Sequence, residues 1–277
     1  MIKKIKLIAL DLDDTLLLPD RTISEQSVKA LAAARQQGVM VVLATGRMFR
    51  AAVPFAQQLQ LDLPLIAYQG ALIKTTETRE VLRAVELTAV QCHPVLEFLA
   101  EKHIHANLYI DDELYIAEMN EVAARYASFS QVPVHVVGEL TSFEFKHATK
   151  IVAIGNPLHL HENIEPQAKE RFGSSLTINT SRPHFLEFGH PQATKSSALA
   201  FLGKRLGIAR EEMLAIGDGA NDLDMIEYAG IGVAMGNADD RLKAVADYIT
   251  TSNVEEGVAK AIEWFCFSKT LGEKVKE

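Results

Sequence analysis

The sequence predicts an α/β protein, a Rossmann-like, doubly wound parallel-sheet core interrupted by an inserted α+β module. Three observations predict it. Nearly continuous apolar runs at residues 5–10, 39–44 and 213–216 suit strands buried on both faces, as in a parallel sheet covered by helices. A helix-spaced segment joins the first two runs, making a strand–helix–strand unit with a right-handed crossover. The middle of the chain has a different texture, with consecutive hairpins mixed with helices.

In chain order, the first strand spans residues 5–10. The run is broken by Asp11, Asp13 and Asp14 before residues 1–14 take signal-peptide form. Val28, Leu31, Ala32 and Arg35 fall at helical spacing, with Ser24 as N-cap and Gly38 as stop. After the second strand, Thr45-Gly46 reads as N-cap and turn for a helix starting near Met48, whose first amides would favour an anion. A third apolar run ends at Gln69-Gly70.

The insertion begins with a helix at 89–102 and a hairpin, 106–109 with 114–117, turning at Asp111-Asp112. A helix from Asn120, a strand at 149–154, a helix at 158–171 and paired strands at 176–179 and 185–188 follow. The alternation then resumes. Ala198, Leu199, Leu202 and Leu206 share one face of a helix at 195–206. The strand at 213–216 leads to a helix at 221–228, a strand at 231–234, a helix at 239–246, a strand at 248–250 and a last helix at 254–265. The expected domains are a discontinuous core, 1–86 with 187–277, and an insertion at 87–186.

With 277 residues, 48% of them hydrophobic, the chain can bury a sizeable core. Lys and Arg number 28 against 36 Asp and Glu, a formal charge of −8 with no basic run, which argues against a nucleic-acid or anionic-membrane surface. Cys92 and Cys266 are far apart and lack metal-type spacing, so a disulfide framework is unsupported and a reducing, cytoplasmic setting is expected. No stretch reaches the ~18 apolar residues of a membrane span.

The chemistry sits at strand ends. Asp11, Asp13 and Thr15 follow the first strand, Thr45 follows the second, and Asp218, Asn221 and Asp222 follow the strand at 213–216. Ligand sites of open α/β sheets lie beyond the carboxyl ends of strands. Asp11, Asp13, Asp218 and Asp222 would share one crevice, and so many like charges need a compensating cation. Oxygen donors without Cys or His favour Mg²⁺, which binds one or two carboxylates together with a substrate phosphate.

Four motifs in order, Asp11-Leu12-Asp13-Asp14-Thr15, Thr45-Gly46-Arg47, Lys195 in Ala193-Thr194-Lys195-Ser196-Ser197, and Gly217-Asp218-Gly219-Ala220-Asn221-Asp222, resemble the haloacid dehalogenase superfamily of phosphohydrolases. More narrowly, the chain resembles the Cof-type phosphatases with a type IIB cap, along essentially its whole length. The resemblance implies a Mg²⁺-dependent phosphatase acting on small phosphorylated metabolites, sugar phosphates or phosphorylated cofactors. It makes Asp11 the nucleophile that becomes an aspartyl-phosphate and Asp13 the general acid, whose pKa should be raised by neighbouring carboxylates. Thr45, Gly46, Arg47 and Lys195 would bind the phosphoryl group. Mg²⁺ would take Asp11, the Asp13 carbonyl and Asp218, with Asn221 and Asp222 orienting ligands or Lys195. Asp14 stands where many relatives have glycine, and Gln69 where many have asparagine.

Rival readings are a phosphomutase using the same intermediate and a phospho-acceptor signalling domain; the latter has no ~100-residue insertion. The histidine pairs His103/His105 and His159/His161 read as ordinary cap residues, and Trp264, Phe265 and Phe267 as packing. Arg47 is as compatible with a salt bridge as with a substrate contact.

Overall fold

A computed structural model describes residues 4–61, 64–130 and 132–268, apart from the side chain of residue 129. Residues 1–3 and 269–277, at the two ends of the expected core 1–86 with 187–277, lie outside the described residues. The chain runs β1 (Leu7–Leu10), α1 (Glu25–Gln36), β2 (Met40–Leu43), α2 (Phe49–Gln58), β3 (Leu65–Ala67), β4 (Leu72–Lys74) and β5 (Val81–Ala84). Next come β6 (Leu87–Thr88), α3 (Ala89–Glu101), β7 (His105–Ile110), β8 (Glu113–Ile116), α4 (Glu121–Ser130), β9 (Val134–Val136), β10 (His147–Ala148) and β11 (Lys150–Ile154). After α5 (Pro157–His159) and α6 (Glu165–Phe172) come β12 (Thr177–Arg182), β13 (Phe185–Gly189), α7 (Lys195–Leu206) and β14 (Met213–Gly217). The chain then passes through α8 (Leu223–Tyr228), β15 (Ile231–Ala234), α9 (Asp240–Val245), β16 (Tyr248–Ile249) and α10 (Gly257–Ile262).

The core sheet has the order β16-β15-β14-β1-β2, every pair parallel. Its central strands β1, β14 and β15 are buried at every position, which is why they read as unbroken apolar runs. Helix α1 packs against α10, and α7 against α8. Ser24 caps α1 as expected, its side chain accepting from Ser27 N–H at 3.1 Å. The third apolar run is β3, which meets the core sheet through a parallel bridge, Ala44 to Ile66. It folds back through β4 and β5 as a small antiparallel sheet that the sequence pattern did not announce.

A second sheet, β12-β13-β11-β7-β8-β9, is antiparallel except for its last pair. The expected hairpin is β7–β8, and its turn residues Asp111 and Asp112 both have positive φ, 52° and 63°, the conformation of a two-residue hairpin loop that aspartate tolerates. Alternation sorts this sheet's faces: Leu108, Ile151, Ala153, Leu186 and Phe188 join a buried cluster with residues of α3 and α6. Tyr109, Val152 and Phe185 belong instead to the cluster of the parallel core, so the opposite face looks toward the core. Strand β13 pairs through to Gly189, so the expected break between residues 186 and 187 falls inside a strand.

Helix α2 differs from expectation at its start. Met48 occupies the N-cap position with no side-chain bond of its own, and Thr45 lies three residues too early to cap. The acceptor comes from the other sheet: Asp112 Oδ2 takes the N–H of Arg50 at 3.1 Å, while its Oδ1 takes the Tyr68 hydroxyl at 2.9 Å.

Candidate functional site

Parallel strands end on the same side of the sheet, so residues after β1, β2 and β14 converge. They line a cavity of about 390 Å³ closed on its other side by Tyr126, Lys150, Arg182, Phe185 and Glu187 of the second sheet and its neighbouring helix. At its base Lys195, 1% exposed, places Nζ 2.5 Å from both Asp11 Oδ1 and Asp222 Oδ1. Thr194 caps α7 by accepting from Ser197 N–H, which starts the helix with Lys195 as its first residue. A lysine there opposes the helix dipole; the two buried carboxylates hold its ammonium protonated against both the dipole and desolvation.

Asp11, Asp218 and Asp222 offer carboxylate oxygens within 4.8 Å of one another, and this is the only such group of possible ligands among the described residues. Burial pushes the Asp11 carboxyl well above its ordinary value, the Asp222 and Asp218 charges add to this, and Lys195 opposes it. Burial likewise pushes Asp218 up to about 7, although the Thr15 hydroxyl donates to it at 2.6 Å. One ammonium does not balance three crowded carboxylates. An all-oxygen donor set with unbalanced negative charge fits a hard divalent cation.

Within that set the roles divide. Asp222 is fully buried and already engaged, with Oδ1 on Lys195 and Oδ2 accepting the Asp218 and Gly219 N–H groups at 3.1 and 3.0 Å. It therefore organises the turn and the lysine rather than facing the cavity. Asn221 lines the cavity and donates to Gln69 Oε1 at 3.3 Å. The side chain of Asp13 lies apart from the carboxylate cluster. Arg47 grips it with Nε and Nη2, each at 2.7 Å, and Arg182 Nη2 approaches to 3.3 Å. Burial pushes Asp13 up, but the Arg47 and Arg182 contacts outweigh it and hold the carboxyl below its ordinary value. The expectation of a raised Asp13 is thus corrected: its neighbours are arginines, not carboxylates. Arg47 forms the salt bridge that sequence left as an equal alternative.

Thr45 is buried, and its hydroxyl oxygen accepts Arg47 N–H at 3.1 Å. The Gly46 carbonyl accepts from Lys150 Nζ at 3.3 Å. This turn abuts a strained one. Tyr68, Gln69 and Gly70 all have positive φ, and their first two N–H groups bond the Arg47 and Thr45 carbonyls. Gly70 has a second constraint, because a Cβ there would meet the Thr194 carbonyl oxygen at 2.1 Å. Asp14 also has positive φ, 59°, which explains a position that accepts glycine or aspartate.

Sequence reasoning missed Tyr68, Lys150, Arg182 and Glu187. The signal available was the alternation in β11 and β13, which sends Lys150 and Val152, with Phe185 and Glu187, to the face opposite the buried Ile151 and Phe188. His105 bonds Asn107 and His161 bonds Glu165, and Tyr248 stacks on Trp264, as ordinary packing requires. Both cysteines are free, and among the described residues no helix is long and apolar enough to cross a membrane.

Residues 8–262 match the haloacid dehalogenase-like hydrolase family. The chain is 32% identical over 266 residues to the pyridoxal phosphate phosphatase YbhA of Escherichia coli, covering 93% of this chain and 97% of that one. It is 34% identical over 259 residues to the 5-amino-6-(5-phospho-D-ribitylamino)uracil phosphatase YcsE of Bacillus subtilis, covering 93% and 94%. Among solved structures, a haloacid dehalogenase-like hydrolase from Bacteroides thetaiotaomicron superposes with a TM-score of 0.85 at 33% identity, over 94% of this chain and 99% of that one.

Proposed function

Because the chain belongs to the haloacid dehalogenase-like hydrolases and is a phosphatase of small phosphorylated molecules, we propose that it hydrolyses its ester through an aspartyl-phosphate on Asp11 with Mg²⁺ as cofactor. The observation that carries this reading is the buried Lys195 bridging Asp11 and Asp222 at the mouth of three strand ends. Asp11 attacks phosphorus in line, the bond to the leaving oxygen breaks, and water then releases phosphate and restores the carboxylate. Asp11 and Asp218 carboxylates and the Asp13 carbonyl would hold Mg²⁺, with Asn221 and Asp222 in support; the bound ion would offset repulsion between nucleophile and phosphate. Thr45 and Lys195 donate to the charge on the transferring group, joined by the Gly46 turn and Arg47.

Asp13 protonates the leaving oxygen. To hold a proton it must lose Arg47 and Arg182, and a phosphate dianion competes for both guanidiniums. Substrate arrival would thereby free the acid it needs. We take the cap as the segment from Leu87 to the end of β13, three residues past the expected limit of 186; its separate buried cluster supports this. Two unpaired thiols support a cytoplasmic setting.

The test is phosphate release from a panel of phosphorylated metabolites with Mg²⁺, with chelator, and with Asp11→Asn. Turnover that requires Mg²⁺ and vanishes in Asp11→Asn is expected. Chelator-insensitive turnover, or full activity of the variant, overturns the mechanism, and an isomerised phosphoester as main product would favour the mutase reading.

A further inference from the structure

Asn120, His105, Asn107, Tyr109 and Tyr126 form one hydrogen-bonded chain that ends on the reaction cavity. His105, Asn107 and Tyr109 alternate along β7 and so share one face of it, the face that puts Tyr109 in the cluster of the parallel core. Asn120 stands just before α4, and Tyr126 lies in the middle of that helix.

The α4 end fixes the direction of the chain. Asn120 Oδ1 accepts the Ala123 N–H at 2.9 Å, as the first turn of a helix requires. The amide nitrogen therefore faces the other way, 3.5 Å from the Glu118 carboxylate and 3.4 Å from His105 Nδ1. Nδ1 accepts, so the neutral ring carries its proton on Nε2. Burial holds the imidazole below its ordinary value, against the Asn107 bond, and so favours that neutral form. His105 Nε2 donates to Asn107 Oδ1 at 2.9 Å, Asn107 Nδ2 donates to the Tyr109 hydroxyl at 3.3 Å, and Tyr109 donates to the Tyr126 hydroxyl at 2.5 Å. Asn107 is 0% exposed, and turning its amide over would set two donors against each other at His105.

Every proton in the chain points the same way, which leaves Tyr126 as the terminal donor. Among the described residues nothing takes the Tyr126 hydroxyl proton; the Glu187 carboxylate is bonded to Lys150 instead, at 2.6 Å. Burial pushes this phenol up to about 12, the Tyr109 bond opposing and the Glu187 charge adding, so the proton stays in place. Tyr126 lines the cavity wall together with Arg182 and Phe185. In the aspartyl-phosphate reading the core residues hold the phosphoryl group, so the leaving group is what meets this wall.

We propose that Tyr126 is a specificity-determining residue whose hydroxyl donates to an acceptor atom on the leaving group, with His105, Asn107 and Tyr109 as positioning residues that keep it a donor. The inference rests on the phosphatase reading and adds a requirement to it, a lone pair on the leaving group within reach of Tyr126.

Two measurements on the full-length protein test it. The first needs no turnover: a long-range proton–nitrogen correlation spectrum of the His105 ring at mildly alkaline pH should show the proton on Nε2, and a proton on Nδ1 overturns the direction of the chain. The second takes kcat/KM with Mg²⁺ for pyridoxal 5′-phosphate, glucose 6-phosphate and glycerol 3-phosphate, each as a ratio to phenyl phosphate, whose leaving group has no acceptor beyond the ester oxygen. Tyr126→Phe should lower that ratio about tenfold for at least one ester, the scale of one buried hydrogen bond. Tyr109→Phe should lower the same ratio by a smaller factor, and should not lower it further when added to Tyr126→Phe. Tyr115→Phe, on the opposite face of the sheet with its ring stacked on His135, should leave it unchanged. Turnover of phenyl phosphate with no ratio moved by Tyr126→Phe, or an equal effect of Tyr109→Phe in both backgrounds, overturns the inference while the phosphatase reading stands. Failure to hydrolyse any of the esters overturns both.

Discussion

Lys150 Nζ lies 2.6 Å from the Glu187 carboxylate and 3.3 Å from the Gly46 carbonyl, so one side chain of the second sheet ties its own neighbour to the turn that follows β2. The two residues sit diagonally on adjacent strands, where Val152 faces Glu187 directly, and both are largely buried. Removing one partner of such a pair strands a buried charge and costs about 3–5 kcal/mol. Lys150→Met should therefore lower the urea midpoint markedly, and adding Glu187→Leu should recover most of the loss. An additive double variant would show that the pair is not coupled.

Lys195→Met leaves Asp11 and Asp222 without their shared cation. Loss of a preorganised donor to the transferring group lowers kcat by about 10² to 10³. Lys195→Arg should restore little, because a planar fork does not reproduce one ammonium 2.5 Å from two carboxylates. Steady-state rates for the three proteins decide it.

Asp13→Asn should separate esters by leaving group. General acid help is worth about 10² to 10⁴ for an alkyl phosphate, whereas p-nitrophenolate departs without a proton. A large loss on glycerol 3-phosphate beside a small one on p-nitrophenyl phosphate is expected; equal losses would take the acid role from Asp13.

Burial pushes the Cys92 thiol up to about 12. In the unfolded chain an ordinary thiol ionises near about 8.5, so between those values the native state binds the extra proton. Stability from this group is complete below about pH 8.5 and declines as pH rises toward 12. Tm measured from pH 8 to pH 10.5 should fall with a component that Cys92→Ala removes. Iodoacetamide at pH 8 should label Cys92 in urea and spare it in the native protein; rapid native labelling would contradict the burial.

The core half of the site was legible because it follows strand ends. Asp11, Thr45 and Asp218 each come directly or within one residue after an apolar run, and an open parallel sheet delivers all such positions to one edge. The facing wall was not legible. Lys150 and Glu187 meet through strand register, which no local spacing encodes. Tyr68 and Gln69 hold positive φ without being glycine, so the strained turn beside Thr45 left no mark in residue type. The Asp13 error had the same root, since counting nearby aspartates along the chain overlooked an arginine 34 residues on and another 169 residues away.

Asp112 gives helix α2 the N-terminal acceptor that its own sequence omits. A helix packed on the parallel core thus takes its first hydrogen bond from the β7–β8 hairpin of the second sheet. Any displacement of that hairpin from the core would take this bond with it and expose the first turn of α2. Hydrogen exchange at the Arg50 amide would then report how firmly the two sheets are held together.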